Sequence, residues 1–181
     1  MENENIIKST RNWLEQFVVD LNICPFAKRV LTKNKIRFSI SVANTEEQLL
    51  LELKNELEYL EKNVTAETTL LIHARVLQDF FEYNEFLEIA DELLIEMNLE
   101  GVFQIASFHP DYQFAGTNPK DAENYTNRSP YPMLHILRED SLEQAIANYP
   151  DVEQIPIKNI AVMNALGKDK IESLMRTCLI E

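Results

Sequence analysis

"KIRFSISVANTEEQLLLELKNELEYLEKNVTAETTLLIHA", Lys35 to Ala74, contains two strand-like segments with a helical one between them. "KIRFSISVA" alternates and carries β-branched residues, which predicts a strand over about Ile36–Val42. Thr45 and Gln48 form a capping box ahead of the next segment. Leu49, Leu53, Leu57 and Leu60 then recur at steps of three and four, one stripe of a helix. "TTLLIHA" is a short apolar run, the pattern of a strand buried on both faces. Strand, helix, strand is the βαβ unit, whose right-handed crossover lays one helix over two parallel strands.

The same alternation continues downstream. From Asp79, the spacing of Phe80, Tyr83, Leu87, Ala90, Leu94 and Met97 predicts another helix. Gly101 follows it, "VFQIASF" has the pattern of a third strand, and "PMLHILR" that of a fourth. Upstream, Ser9 is a candidate N-cap for a helix whose stripe is Leu14, Phe17, Val18 and Leu21. Pro25 fits the first position of a second helix, where a missing N–H costs nothing. Asp140 with Glu143 opens a further capped helix, and the chain is helical up to Arg176 apart from breaks at Pro150, Pro156 and Gly167. No repeat or low-complexity linker divides the chain. The expectation is a single α/β domain over residues 1–181, a sandwich with a small mixed sheet of about four strands. Three strands should be parallel, and the fourth, which follows a loop without a helix, antiparallel.

Bulk properties narrow the function. The chain has 181 residues, enough for one core without disulfides. Its net charge of −13 disfavours nucleic acid and anionic lipid as partners, since both need neutralising cations. The two cysteines, Cys24 and Cys178, form no disulfide framework, and the acidic, polar N-terminus does not look like a signal peptide. A cytoplasmic protein is the expectation. Only three glycines are present, which excludes the phosphate-cradling loops of Rossmann and P-loop proteins. The residues name no cofactor.

Two regions carry candidate chemistry. From Leu21 to Thr45 there is no acidic residue, while Lys28, Arg29, Lys33, Lys35 and Arg37 cluster there. Cys24 lies before Pro25, at an expected helix N-terminus, where unpaired N–H groups and nearby cations lower a thiol's pKa. The alternative is a small buried apolar residue beside a solvated cationic face. The second region is the long segment after the third strand, "SFHPDYQFAGTNPKDAENYTNRSPYPMLHILR", Ser107 to Arg138. Loops of this length are uncommon unless functional or disordered, and the aromatics and prolines argue against disorder. Asp111 is close enough to orient the His109 imidazole, and Arg128 offers a fork for a carboxylate or phosphate. Asn124 and Asn127 add donors and Tyr112 an amphipathic wall. His73 and His109 both fall at strand ends, where α/β sheets bind ligands. A helix starting at Pro25 and packed antiparallel to the first strand would return Cys24 toward His109. The competing explanation is that these loop side chains satisfy the loop's own backbone.

"LNICPFA", "TTLLIH", "YNEFL", "ASFHPDYQFAGT" and "ENYTNRSPYPMLHILRE" resemble the blocks of a bacterial family known as domain of unknown function 1415. The resemblance spans nearly the whole chain, implies a single-domain cytosolic bacterial protein, and brings no activity with it. The residues themselves favour a small-molecule enzyme acting on an anionic substrate. In it Cys24 is nucleophile or redox thiol, His109 a base oriented by Asp111, and Arg128 with Lys28 the anion clamp. A non-catalytic binding or regulatory protein using the same pocket is the alternative. A metalloprotein ligated by His73, His109 and His135 is the third reading, weakened by the position of His135 inside its strand.

Overall fold

Leu49, Leu53, Leu57 and Leu60 are all fully buried along one side of a helix, α3 (Glu46–Lys62), as their spacing requires. In the computed structural model, which describes residues 2–180, α3 connects β1 (Ile36–Ile40) to β2 (Thr68–Ile72). These two strands pair in parallel, with Phe38 opposite Leu70. The Thr45 hydroxyl accepts the Gln48 N–H at 3.3 Å, and Gln48 reaches back to the N–H of Asn44 at 2.8 Å. The capping box thus closes one residue earlier than its usual form.

The remaining elements are α4 (Phe80–Glu96), β3 (Phe103–Phe108), β4 (Met133–Arg138), α5 (Glu139–Ala147), α6 (Ile155–Leu166) and α7 (Lys168–Cys178). At the other end, α1 (Glu2–Trp13) runs into a π-helical turn over Leu14–Val19, and α2 (Ala27–Thr32) follows a short turn. The sheet order is β1-β2-β4-β3. Only β1 and β2 form a parallel pair; β4 is antiparallel to both β2 and β3. This corrects the expectation of three parallel strands. β3 runs in the same direction as β2, but β4 returns from the edge where β3 ends and inserts between them.

Each face of the sheet is covered. On one side, α3 and α4 pack Leu53, Leu57, Phe86 and Ala90 against Leu71, Leu134, Ile136 and Phe103. On the other, Trp13, Phe17, Met163, Ile171 and Cys178 pack against Leu70, Ile72 and Met133. β2 is buried along its whole length, as its unbroken apolar run implied.

Three local expectations change. Ser9 lies inside α1, where its hydroxyl accepts the Ile180 N–H at 2.9 Å and so ties down the C-terminal segment. Pro25 sits in the turn before α2. At α5, the cap position is Arg138, and no side chain caps the helix. No helix among the described residues is long and apolar enough to cross a membrane.

Candidate functional site

The long connection between β3 and β4 is ordered by its own polar side chains. Asn124, fully buried, accepts the Phe114 N–H (2.9 Å) and the Thr117 hydroxyl (2.8 Å) and donates to the Asn118 carbonyl (2.8 Å). Arg128 donates to the carbonyls of Tyr112 (3.1 Å) and Pro119 (2.8 Å), with its guanidinium 4.4 Å from the Tyr125 ring centre. Asn127 donates to Ser107 O at 3.2 Å. Tyr112 packs between Phe80 and Phe114. The fork of Arg128 is thus occupied by backbone oxygens.

His109 is held in the same way. Its Nδ1 accepts the main-chain N–H of Asp111 at 3.0 Å, which places the proton on Nε2, 3.3 Å from Leu77 O. The Asp111 side chain itself is exposed. His73 uses Nδ1 on Val76 O at 2.9 Å and stacks on Tyr83, while its buried Nε2 has no hydrogen-bond partner among the described residues. The two imidazoles hold the Ala74–Gln78 turn, in which Leu77 adopts the left-handed backbone (φ 54°). Burial lowers the pKa of both, that of His73 to about 4. Both are neutral structural side chains.

Strand alternation separates these groups from Cys24. His109 contacts Phe80 and Tyr83 on the α4 side, whereas its neighbour Phe108 faces Trp13 on the opposite side. Cys24 lines cavities on the Phe108 side. Cys24, His109 and Arg128 therefore do not share a cleft. His135 also projects to the Phe108 side, so the three histidines do not converge. Among the described residues no group of three or more His, Cys, Asp or Glu could hold a metal.

What the structure builds around Cys24 is a cavity of about 230 Å³ over the sheet face. Leu70, Ala106, His135 and Leu137 form its floor; Trp13, Val18, Phe26 and Val30 lie over it, with Leu142 and Ala145 of α5 at one side. Arg29, Glu67 and Arg138 lie at its rim and are already paired. Glu67 binds both Arg29 (2.5 Å) and Lys35 (2.7 Å), and Arg138 donates to the carbonyls of Leu60, Ala66 and Asn63. Arg37 is paired with Glu56 at 2.7 Å. Much of the cationic cluster near Cys24 is thus neutralised by acids from elsewhere in the chain. Lys28 is exposed and lines neither cavity.

Two groups give the cavity chemical character. Among the described residues His135 has no hydrogen-bond partner, only a ring contact with Phe108 (6.0 Å between centres). Burial lowers its pKa to about 4, so it is a neutral imidazole at ordinary pH. Burial also raises the Cys24 thiol, and the N–H groups of Phe26 and Ala27 near the sulfur offset this only in part. That is the opposite of the depression expected from a helix N-terminus. α2 has only six residues and begins beyond Phe26, and the cations have other partners.

Over residues 5–173 the chain matches the family described as "Protein of unknown function (DUF1415)". The chain belongs to this family. No curated protein matches it, and no solved structure does. The DUF1415 match runs from α1 into α7 and so takes in both the cavity and the long connection. The sequence offers His135 only as a candidate metal ligand, weakened by its place inside a strand. Its missing signal was the set of small residues, Ala27, Ala106 and Ala145, that leave space beside it from three separate elements.

Proposed function

We propose that this DUF1415 protein binds a small molecule with a largely apolar body in the cavity between the sheet and α1, α2 and α5. One observation carries the reading: an imidazole without a hydrogen-bond partner faces an otherwise apolar enclosure. His135 is half-buried, so a ligand donor or acceptor placed there takes over its contact with water while the apolar body of the ligand leaves solvent. The anionic ligand suggested by the cationic residues would find Arg128, Arg29 and Arg138 already engaged, which supports a neutral or apolar portion at this position. Ala145→Trp, on the helix flanking the cavity, fills the space without touching the sheet. An environment-sensitive naphthalene dye should bind the wild type and lose about ten-fold or more in affinity for the variant, with the far-UV spectrum unchanged. Equal dye affinity in both proteins refutes the cavity reading.

A second reading is supported by Cys24, which lines this cavity and the neighbouring one. It is an enzyme that works through the thiol, with His135 in the role of base in place of His109. The raised thiol argues for a protonated sulfur at rest. Iodoacetamide labelling of Cys24 against pH separates the two. A midpoint at or above the ordinary cysteine range of about 8.5 leaves a binding protein, and a midpoint below it favours the enzyme.

A further inference from the structure

A second cavity of about 550 Å³ lies between the long connection and α6. Val18, Cys24 and Phe108 line both this outer cavity and the inner one, so these three side chains form the partition between them. The two spaces differ in chemistry. Apart from His135, Thr68, Ser141 and a paired rim, the inner walls are apolar. The outer walls include Thr117, Glu123, Thr126, Asn127 and Asn159.

Where the hydrogen-bond donors of the outer walls point decides what they can receive. The Thr117 hydroxyl donates to the Phe114 carbonyl and Asn124, and the Thr126 hydroxyl to the Glu123 carbonyl. The Asn127 amide donates to Ser107, and the Asn159 amide to the Ile23 carbonyl (2.9 Å). Each of these two amides keeps a second N–H as well as its oxygen, so the amides accept or donate and do not by themselves select a charge. Among the described residues, the Asn159 amide oxygen is unengaged, the Asn127 oxygen meets only the Thr126 hydroxyl at 3.5 Å, and no hydrogen bond or ion pair holds the Glu123 carboxylate. Glu123 is also the one charged side chain among these wall residues. One negative charge with no cation beside it, flanked by amide oxygens that can accept, complements a donor-bearing cation and repels an anion.

We infer that the occupant is a cationic amphiphile, an alkylamine-like molecule. Its hydrocarbon part lies in the inner cavity and its ammonium head in the outer one against Glu123, passing the Cys24 thiol. This rests on the cavity reading above and adds the class of head group. An ammonium donates up to three hydrogen bonds, matching the Glu123 carboxylate and the two amide oxygens. The head stays hydrated on its open side while the alkyl portion leaves water.

The test compares octylammonium, octanoate and 1-octanol on the full-length protein by calorimetric titration, with Glu123→Gln alongside the wild type. Octylammonium should bind about ten-fold more tightly than octanoate, as a charge-assisted hydrogen bond in a partly enclosed site would give. Glu123→Gln should bring the two affinities close together. Bound octylammonium should also slow alkylation of Cys24, which places it at the partition. Octanoate binding as tightly as octylammonium, or an unchanged ratio in Glu123→Gln, overturns the head-group assignment while leaving the cavity reading in place. Failure of all three probes overturns both.

Discussion

At the scale of single residues, the histidines govern how the fold responds to acid. A histidine in the unfolded chain takes up a proton near pH 6.5. Burial lowers His73 and His135 to about 4 in the folded protein. Between those two values the unfolded state binds protons that the folded state refuses. Stability is then full above about pH 6.5, falls as pH drops through the window, and levels off below about 4. For His73, with no exposed surface, the loss amounts to as much as about 3 kcal/mol. His109, also lowered by burial, acts in the same direction, and His135→Met removes one of these contributions while keeping the volume filled. Urea midpoints at pH 7 and pH 4.5 should show a smaller difference in the variant than in the wild type. An equal difference would mean that His135 is not held neutral by its surroundings.

At the scale of elements, Asn124 and Arg128 serve the long connection as architecture. Asn124 serves it as an internal template, substituting for the hydrogen bonds that a helix or strand would supply. Asn124→Ala leaves the Phe114 N–H and Asn118 carbonyl without their partner and should cost about 2–3 kcal/mol by denaturant titration. Arg128→Ala should also lower stability in the absence of any ligand, and Lys28→Ala should change it by no more than about 0.5 kcal/mol. A destabilising Lys28→Ala, or a neutral Asn124→Ala, would contradict this division of labour. The sequence offers this reading beside the ligand-binding one and cannot choose between them. An asparagine that caps its own loop and one that grips a ligand occupy the same kind of sequence, rich in Pro, Asn and Asp. The helices and strands, by contrast, were legible because Leu49, Leu53, Leu57 and Leu60 must share a side at helical spacing, whatever surrounds them. The π-helical turn was not. It places Leu14, Phe17 and Val18 together in the buried layer on that side of the sheet.

At the scale of the whole molecule, layer composition followed from the βαβ pattern, and strand order did not. Nothing local to "PMLHILR" says that it lies between β2 and β3; its neighbours are set by pairing across long stretches of chain. The inner cavity has the same origin, since no single element shows a gap made jointly by Ala27, Ala106 and Ala145. The inserted position of β4 also sets an order of events during synthesis. β4 is the last strand to leave the ribosome, yet it is the only partner of β3 and closes the open edge of β2. Until it emerges, two strand edges face an empty slot, the arrangement that invites pairing with another chain. The 109–132 connection separates β3 from β4 in sequence, so their pairing waits until it has been synthesised. Over that interval the acidic excess of the chain acts as a colloidal guard, with like-charged nascent copies repelling one another before their edges can meet.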